Sequence, residues 1–243
     1  MKYVTASITN AGGRKVNQDF AQYVEVPPEG ICWVVADGLG GHGGGEVAAE
    51  TAVLKILETF AQTPQPTQET IDACIMAAQE AILKKQETED QLKRMRTTLV
   101  MMVGDRQKVL WAHIGDSRLY CFREGSLWEF TLDHSVPQAL VDAGSISRAD
   151  IRTHEDRNRI LRSLGNKNDL RYTIRTEWFN LQPGDAFLMC TDGFWEYVHE
   201  IEMQADLAKS TSPEEWLKWM EDRILARVKG ENDNYTATAV MVV

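Results

Sequence analysis

Asp19, Asp37, Asp116, Asp192 and Asp233 share one setting in this chain of 243 residues. Each stands where an apolar or β-branched stretch begins or ends, beside a glycine, polar or turn-forming residue: "GGRKVNQD", "VVADG", "HIGDSR", "LMCTDG" and "ENDNYTATAV". A single aspartate in such a place is a turn former or a helix cap. Several of them converging at the edges of a central sheet would repel one another unless cations neutralised them. Ligation by oxygen alone suits Mg²⁺ or Mn²⁺ rather than Zn²⁺.

The stretch after Asp37 holds six glycines within eight residues, Gly38 to Gly45. Gly38-x-Gly40-x-x-Gly43 between a strand and a helix has the spacing of a dinucleotide fingerprint, which requires a second strand with an acidic ribose ligand about 20 residues on. That distance falls on Glu58, inside the helix that follows the glycines, and a second helix comes next. No Lys-Ser or Lys-Thr pair follows them either, so a phosphate-binding P-loop is excluded. What remains is a carboxylate followed by a loop almost free of side chains, in which backbone carbonyls can approach whatever Asp37 binds. Cys32, Cys74, Cys121 and Cys190 form no CxxC pair, and none has an arginine six positions later, which excludes a Cys-x5-Arg phosphatase.

The elements that must position these carboxylates alternate between the two periodicities. Lys2–Ile8, Phe20–Val26 and Ile31–Ala36 read as strands, with Pro27, Pro28 and Gly30 between the last two. Glu46–Phe60 and Gln68–Gln86 read as helices separated by "TPQPT". Thr97–Phe130 reads as a strand meander punctuated by Gly-Asp and Glu-Gly turns, followed by a polar segment from Asp133 to Asn158. Strands are expected near Leu170–Trp178 and Asp185–Cys190, a capped helix from Ser212-Pro213, and a strand at "TATAVMVV". Sheets covered by helices follow, an α+β layered arrangement without repeats or linkers. The seven tryptophans fall mostly on these elements, where core packing explains them. The net charge of −10 argues against a nucleic-acid surface. The absence of a CxxC pair and the profile of "MKYVTASITNAGG" point to a reducing, cytoplasmic compartment, and no apolar run reaches the roughly 20 residues of a membrane span.

"NQDF", "ADGLGGHGGGEVAA", "TTLV", "AHIGDSRLYCFREGSLWEFTLDHS", "ILRSLG", "LMCTDGFWEYV" and "NDNYTATAV" resemble, in this order, the motif series of the metal-dependent protein serine/threonine phosphatases (PPM family, type 2C) in their compact bacterial form. The resemblance spans essentially the whole chain and implies one catalytic domain over residues 1–243, a four-layer α-β-β-α sandwich of two antiparallel sheets flanked by helix pairs. It implies hydrolysis of phosphoserine and phosphothreonine in proteins by a water bridging two Mn²⁺ or Mg²⁺ ions, opposing a Ser/Thr kinase, in a cytoplasmic monomer. By the same resemblance Asp37 bridges the metals, the Gly38 carbonyl joins it, and Asp192 and Asp233 complete the ligands. Asp19 orients metal-bound water, Asp116 serves a weaker third metal and Arg14 grips the phosphate. A flap over about 135–160 carries Asn158 towards the third metal. Two positions depart from the pattern: Gln18 stands where many members have Glu, and Leu39 where some have a general-acid His, leaving His42 or a metal-bound water as the proton donor.

Overall fold

The computed structural model describes residues 1–40 and 44–243, so His42 lies outside the described residues. Among the described residues twelve strands run in chain order as β1 Tyr3–Asn10, β2 Asp19–Val26, β3 Gly30–Leu39, β4 Arg96–Thr97, β5 Leu99–Gly104, β6 Lys108–Ile114, β7 Arg118–Arg123, β8 Ser126–Phe130, β9 Thr173–Ile174, β10 Phe179–Asn180, β11 Ala186–Cys190 and β12 Tyr235–Val242. The α-helices are α1 Gly44–Gln62, α2 Gln68–Thr88, α3 Val136–Asp142, α4 Asp192–Trp195, α5 Glu200–Lys209 and α6 Pro213–Arg227. One sheet has the order β1-β12-β11-β7-β8, and the other β10-β6-β5-β3-β2, with β4 on β3 and β9 on β6. The neighbouring strands pair antiparallel.

Side-chain alternation explains the layers. In β3, Cys32, Val34 and Ala36 pack against α1 and α2, while Ile31, Trp33 and Val35 face the opposite sheet. A strand buried on both faces must be apolar throughout, and Ile31–Ala36 is. On the other sheet Tyr120, Phe122, Leu188 and Ala237 pack with α5 and α6, and Leu119, Cys121, Phe187 and Val240 turn inward. Trp111, Phe179 and Phe187 form an aromatic cluster between the sheets, with centroids 5.7–6.3 Å apart.

This interlayer also carries a line of hydroxyls leading to the aspartates. Trp33 Nε1 donates to Thr5 Oγ1, then Ser7 meets Thr238 and Thr9 meets Thr236, each pair at 2.8 Å. Thr191 Oγ1 in turn donates to Asp19 Oδ2. These pairings satisfy the hydroxyls that line the way to the polar end of the sandwich.

Helix starts follow local rules. Thr67 caps α2, and Ser212 caps α6 with Pro213 in the first turn. The polar segment after Asp133 contains α3, capped by Ser135, and a 3-10 turn at Arg148–Thr153 stapled by a Ser147–Asp150 capping box. Three expectations differ. Leu170–Trp178 contributes only the two residues of β9, at the margin of its sheet, and Trp178 is not in a strand. Trp128 is 62% exposed because β8 is an edge strand, and Trp219 is 39% exposed on the outer face of α6, its ring under the Lys209 ammonium. Helix α5 had no expectation attached to it, since its ten residues bury little beyond Met203 and Asp206.

Phe187→Ala would open a cavity in the interlayer aromatic cluster. A loss of about 3–5 kcal/mol in unfolding free energy is expected, read from the denaturant midpoint.

Candidate metal centre and active-site cleft

Strand register sets the first pair of carboxylates, because β2 pairs β3 with Asp19 directly opposite Asp37. The backbone of Asp37 is held by Thr98 and Thr97. Its N–H donates to Thr98 Oγ1 at 3.0 Å, and its carbonyl accepts from Thr98 N at 2.9 Å and Thr97 Oγ1 at 2.8 Å. The other sheet supplies the rest: Asp116 in the turn entering β7, Asp192 at the first position of α4 just after β11, and Asp233 two residues before β12. Arg14, Gln18, Asp37, Gly38, Asp116, Asn158, Asp192 and Asp233 line one cleft of about 630 Å³ at this end of the sandwich. Asp19 lies buried beside it, with one oxygen on Thr191.

The electrostatics are those of crowded anions. Burial, then the negative charges of Asp19, Asp192, Asp116 and Asp233, push the Asp37 carboxyl well above the usual range. Asp116 is raised likewise, first by burial and then by Asp192 and Asp133. Asp19 is pushed up to about 7, mainly by burial and against the hydrogen bonds of Thr191 and Thr236. Asp192 rises to about 6, through burial and then Asp233. Among the described residues, Asp19 Oδ1 and both carboxylate oxygens of Asp116 are buried without a hydrogen-bond partner. Buried anionic oxygens left unpaired are costly, and an oxygen-ligated dication relieves that cost.

Gly38 adds a backbone cradle to this donor set. A Cβ there would lie 2.0 Å from the Gly45 carbonyl oxygen and 2.6 Å from that of Gln18, so only glycine lets the three segments meet. Gln18 Nε2 donates to the Gly40 carbonyl at 3.0 Å, so the amide standing where many type 2C phosphatases have Glu ties down the start of the glycine loop. Among the described residues no three His, Cys, Asp or Glu side chains stand ready-made around a cation position. The arrangement of Asp233 accounts for part of this. Its Oδ2 accepts from Arg14 Nη2 at 3.0 Å, and its Oδ1 accepts from the backbone N–H of Asn234. Arg14, expected to meet substrate phosphate, is therefore held at the cleft by one of the expected ligands. Leu39 follows Gly38 within β3, half-buried at the cleft lining.

Asn234 is a site residue that motif reading passed over. Its Nδ2 donates to the carbonyls of Ala11 and Val16, and its Oδ1 accepts from Gln18 N at 2.8 Å. One amide thus spans the loop carrying Arg14 and fixes the entry to β2. Its place beside Asp233 in "ENDNY" was the available signal.

The flap is pinned on its inner side. Ile151 is buried in the core beneath α5 and α6. Arg152 donates to the Trp195 carbonyl at 2.6 Å and to Glu200, and Arg157 pairs with Glu196 at 3.1 Å. Asn158 lines the cleft at the end of this segment. All four cysteines are buried and free, and burial pushes the Cys74 thiol up to about 12. No helix among the described residues is long and apolar enough to cross a membrane.

Similarity to known proteins agrees with this geometry. A serine/threonine phosphatase (Stp) of Listeria welshimeri is 35% identical over 182 residues, 73% of this chain and 71% of that protein. The structure of the S. agalactiae serine/threonine phosphatase superposes with a TM-score of 0.86 at 26% identity, covering 100% of both chains. The catalytic domain of the serine/threonine protein phosphatase PstP, solved in complex with two manganese ions, gives a TM-score of 0.82 at 28% identity, again over 100% of both chains. The two antiparallel sheets and their helices are thus the architecture of these phosphatases. Residues 10–232 match protein phosphatase 2C, and the chain belongs to that family.

Proposed function

We propose that this chain is a metal-dependent phosphatase that hydrolyses phosphoserine and phosphothreonine in proteins, reversing a Ser/Thr kinase. The observation that carries the reading is the gathering of Asp19, Asp37, Asp116, Asp192 and Asp233 at one end of the sandwich, with three of their buried oxygens unpartnered. Asp37, the Gly38 carbonyl, Asp192 and Asp233 are the groups assigned to hold two Mn²⁺ or Mg²⁺ ions, and Asp116 a weaker third. When bound, the cations activate water for attack on phosphorus and offset the charge that develops as the ester breaks.

The chain's own residues then have separable tasks. Asp19, behind Asp37 and anchored by Thr191, keeps one oxygen free to accept a proton-bearing ligand. Arg14 reaches the cleft from an exposed loop whose position Asn234 fixes, and its planar fork suits two phosphoryl oxygens once Asp233 turns to a cation. Asn158 approaches from the flap, where a protein substrate would lie. Its neighbour Arg157 is held by Glu196, so the flap shares an ion pair with the residue that follows α4. The chain is proposed to act as a cytoplasmic monomer.

Asp37→Asn should weaken both tight metal sites together and lower activity on an aryl phosphate by orders of magnitude. Arg14→Ala should leave Mn²⁺ binding at least as tight as in the parent, because Asp233 is released. It should lower kcat/KM by roughly 10- to 150-fold, the range for a charge-assisted contact of about 1.5–3 kcal/mol. Calorimetric Mn²⁺ titration and steady-state kinetics on both variants check this. Loss of metal binding in Arg14→Ala, or two parent-like sites in Asp37→Asn, would overturn these roles.

Metal removal carries a pH signature. A carboxyl whose folded pKa is raised gives stability that is present below its unfolded pKa, near 4, and lost as pH climbs through the folded value. With Asp192 near 6 and Asp19 near 7, that window runs from about pH 4 to 7. Cations remove the penalty, so the rise in melting temperature on adding Mn²⁺ should be larger at pH 8 than at pH 5.5. A chelator should abolish both this rise and turnover. An equal thermal shift at the two pH values would contradict the crowded-anion account.

A further inference from the structure

A second cleft, of about 660 Å³, opens on the far side of the segment 158–162. Asn158 and Ile160 line the metal cleft, whereas Leu161 and Arg162 line the other. The segment is tied to the start of α3: Leu161 N donates to the His134 carbonyl at 2.7 Å, and Val136 N to the Arg159 carbonyl at 2.9 Å. Two concavities thus share one strip of backbone. Four residues of extended chain span at most about 13–14 Å, so a peptide of that length seated in the first cleft reaches the second.

Most acids of the second cleft are already engaged. Arg118 forks onto Asp133 at 2.7 Å, Arg175 holds Glu129 at 3.2 Å, and Asp142 accepts from Gln138 Nε2 at 2.8 Å, while Glu177 stands exposed at the rim. Among the described residues no carboxylate pairs with Arg162, which is half-buried in the lining. His113 and His134 stack beside it with centroids 4.5 Å apart. Burial, with the Arg162 charge as a further cause, holds His113 below its ordinary range, and burial, then His113 and Arg162, push His134 down to about 3. Both rings are therefore neutral at physiological pH.

Their hydrogen bonds place the protons. His113 Nε2 donates to the Leu132 carbonyl at 2.7 Å, and His134 Nδ1 accepts from Gly115 N, so His134 carries its proton on Nε2, 3.0 Å from Thr173 Oγ1. Thr173 receives that bond and keeps its own O–H to donate into the cleft it lines. A half-buried guanidinium beside a free hydroxyl donor suits an oxyanion. A carboxylate is filled by the guanidinium fork alone, whereas a phosphoryl group has a third oxygen for the hydroxyl.

We propose that Arg162 and Thr173 form a subsite for a second phosphoryl group of the protein substrate, about four residues from the one being hydrolysed, so that segments phosphorylated at two nearby positions are preferred. This rests on the reading of the chain as a phosphoprotein phosphatase. The subsite binds substrate and takes no part in breaking the ester.

Steady-state kinetics of the Mn²⁺-loaded full chain on phosphothreonine peptides test it, with a second phosphothreonine, an aspartate or an alanine four residues to either side. In one of the two directions the doubly phosphorylated peptide should have a KM about 10-fold below that of the alanine peptide at similar kcat, the low end for a charge-assisted hydrogen bond. Arg162→Ala should erase this advantage and leave turnover of an aryl phosphate as in the parent. Arg162→Lys keeps the charge without the fork and should keep part of it, and Thr173→Val should reduce it. A merely structural role would lower the melting temperature and slow every substrate alike. Equal gain from aspartate would overturn the phosphoryl assignment. A preference for two phosphates that survives in folded Arg162→Ala protein would overturn the subsite, and if that variant does not fold, Arg162→Lys and Thr173→Val decide by the same criterion. Fluorescence anisotropy of the labelled doubly phosphorylated peptide on the metal-free chain separates the two readings. Binding that Arg162→Ala abolishes, with no peptide hydrolysed by the Mn²⁺-loaded parent, would overturn the phosphatase reading and leave the subsite standing.

Discussion

Repulsion among buried carboxylates is the constraint that organises this molecule. Asp37 is raised by burial and by four other aspartates, of which Asp19 and Asp116 are enclosed while Asp233 stays open to solvent. The two sheets supply the force that holds them there. Each sheet buries a helix pair on one side and its partner sheet on the other, and the anions are attached to strand ends, where rigid backbone brings them together. The apolar layers stabilise, the carboxylate cluster destabilises, and cation binding is what turns the second from a cost into a function. Such a site is expected where local rules of stability are broken.

The line of hydroxyls between the sheets reconciles the two regimes. An apolar interlayer running up to Asp19 and Asp37 would leave their oxygens with no donor at all, whereas water there would loosen the sandwich. Thr5, Ser7, Thr9, Thr236 and Thr238 pair among themselves or with Trp33, and Thr191 reaches Asp19, so polarity rises towards the cleft while almost every group remains satisfied. The exceptions, on Asp19 and Asp116, lie at the cleft or directly behind it.

Much of this was legible in the sequence, for reasons that differ by element. Strands β3 and β5 are buried on both faces and read as apolar runs; α1, α2 and α6 announce themselves by period and caps. The ordered motif series pointed to the same aspartates that line or back the cleft. Short elements were not legible: β9 and β10 pair over two residues each, too few for any periodicity. Helix α5 depends on Arg223, which forks onto buried Asp206 from α6, a contact that no local window contains. Trp195 reads as core by type, and only its partners Asp116, Arg118 and Arg152 show what the indole holds. Asn234 likewise reads as a turn residue until its three hydrogen bonds are traced to Ala11, Val16 and Gln18. The exposed faces of Trp128 and Trp219 show the converse limit, since a residue's hydrophobicity does not reveal that its strand lies at an edge or that it stands on the outer face of its helix.

The pairing of β1 with β12 ties residues 3–10 to residues 235–242, in unbroken antiparallel register. Contacts between segments so far apart in sequence form only after the later one has been made, and closing so long a loop is slow relative to local helix formation. The loop bearing Arg14 waits on Asn234, and Asp19 waits on Thr191, so a growing fragment cannot assemble the cleft before β11 and β12 have been made. Assembly of the cleft is therefore tied to β12, and Arg14 and Asp19 take up their places only once that strand has docked on β1.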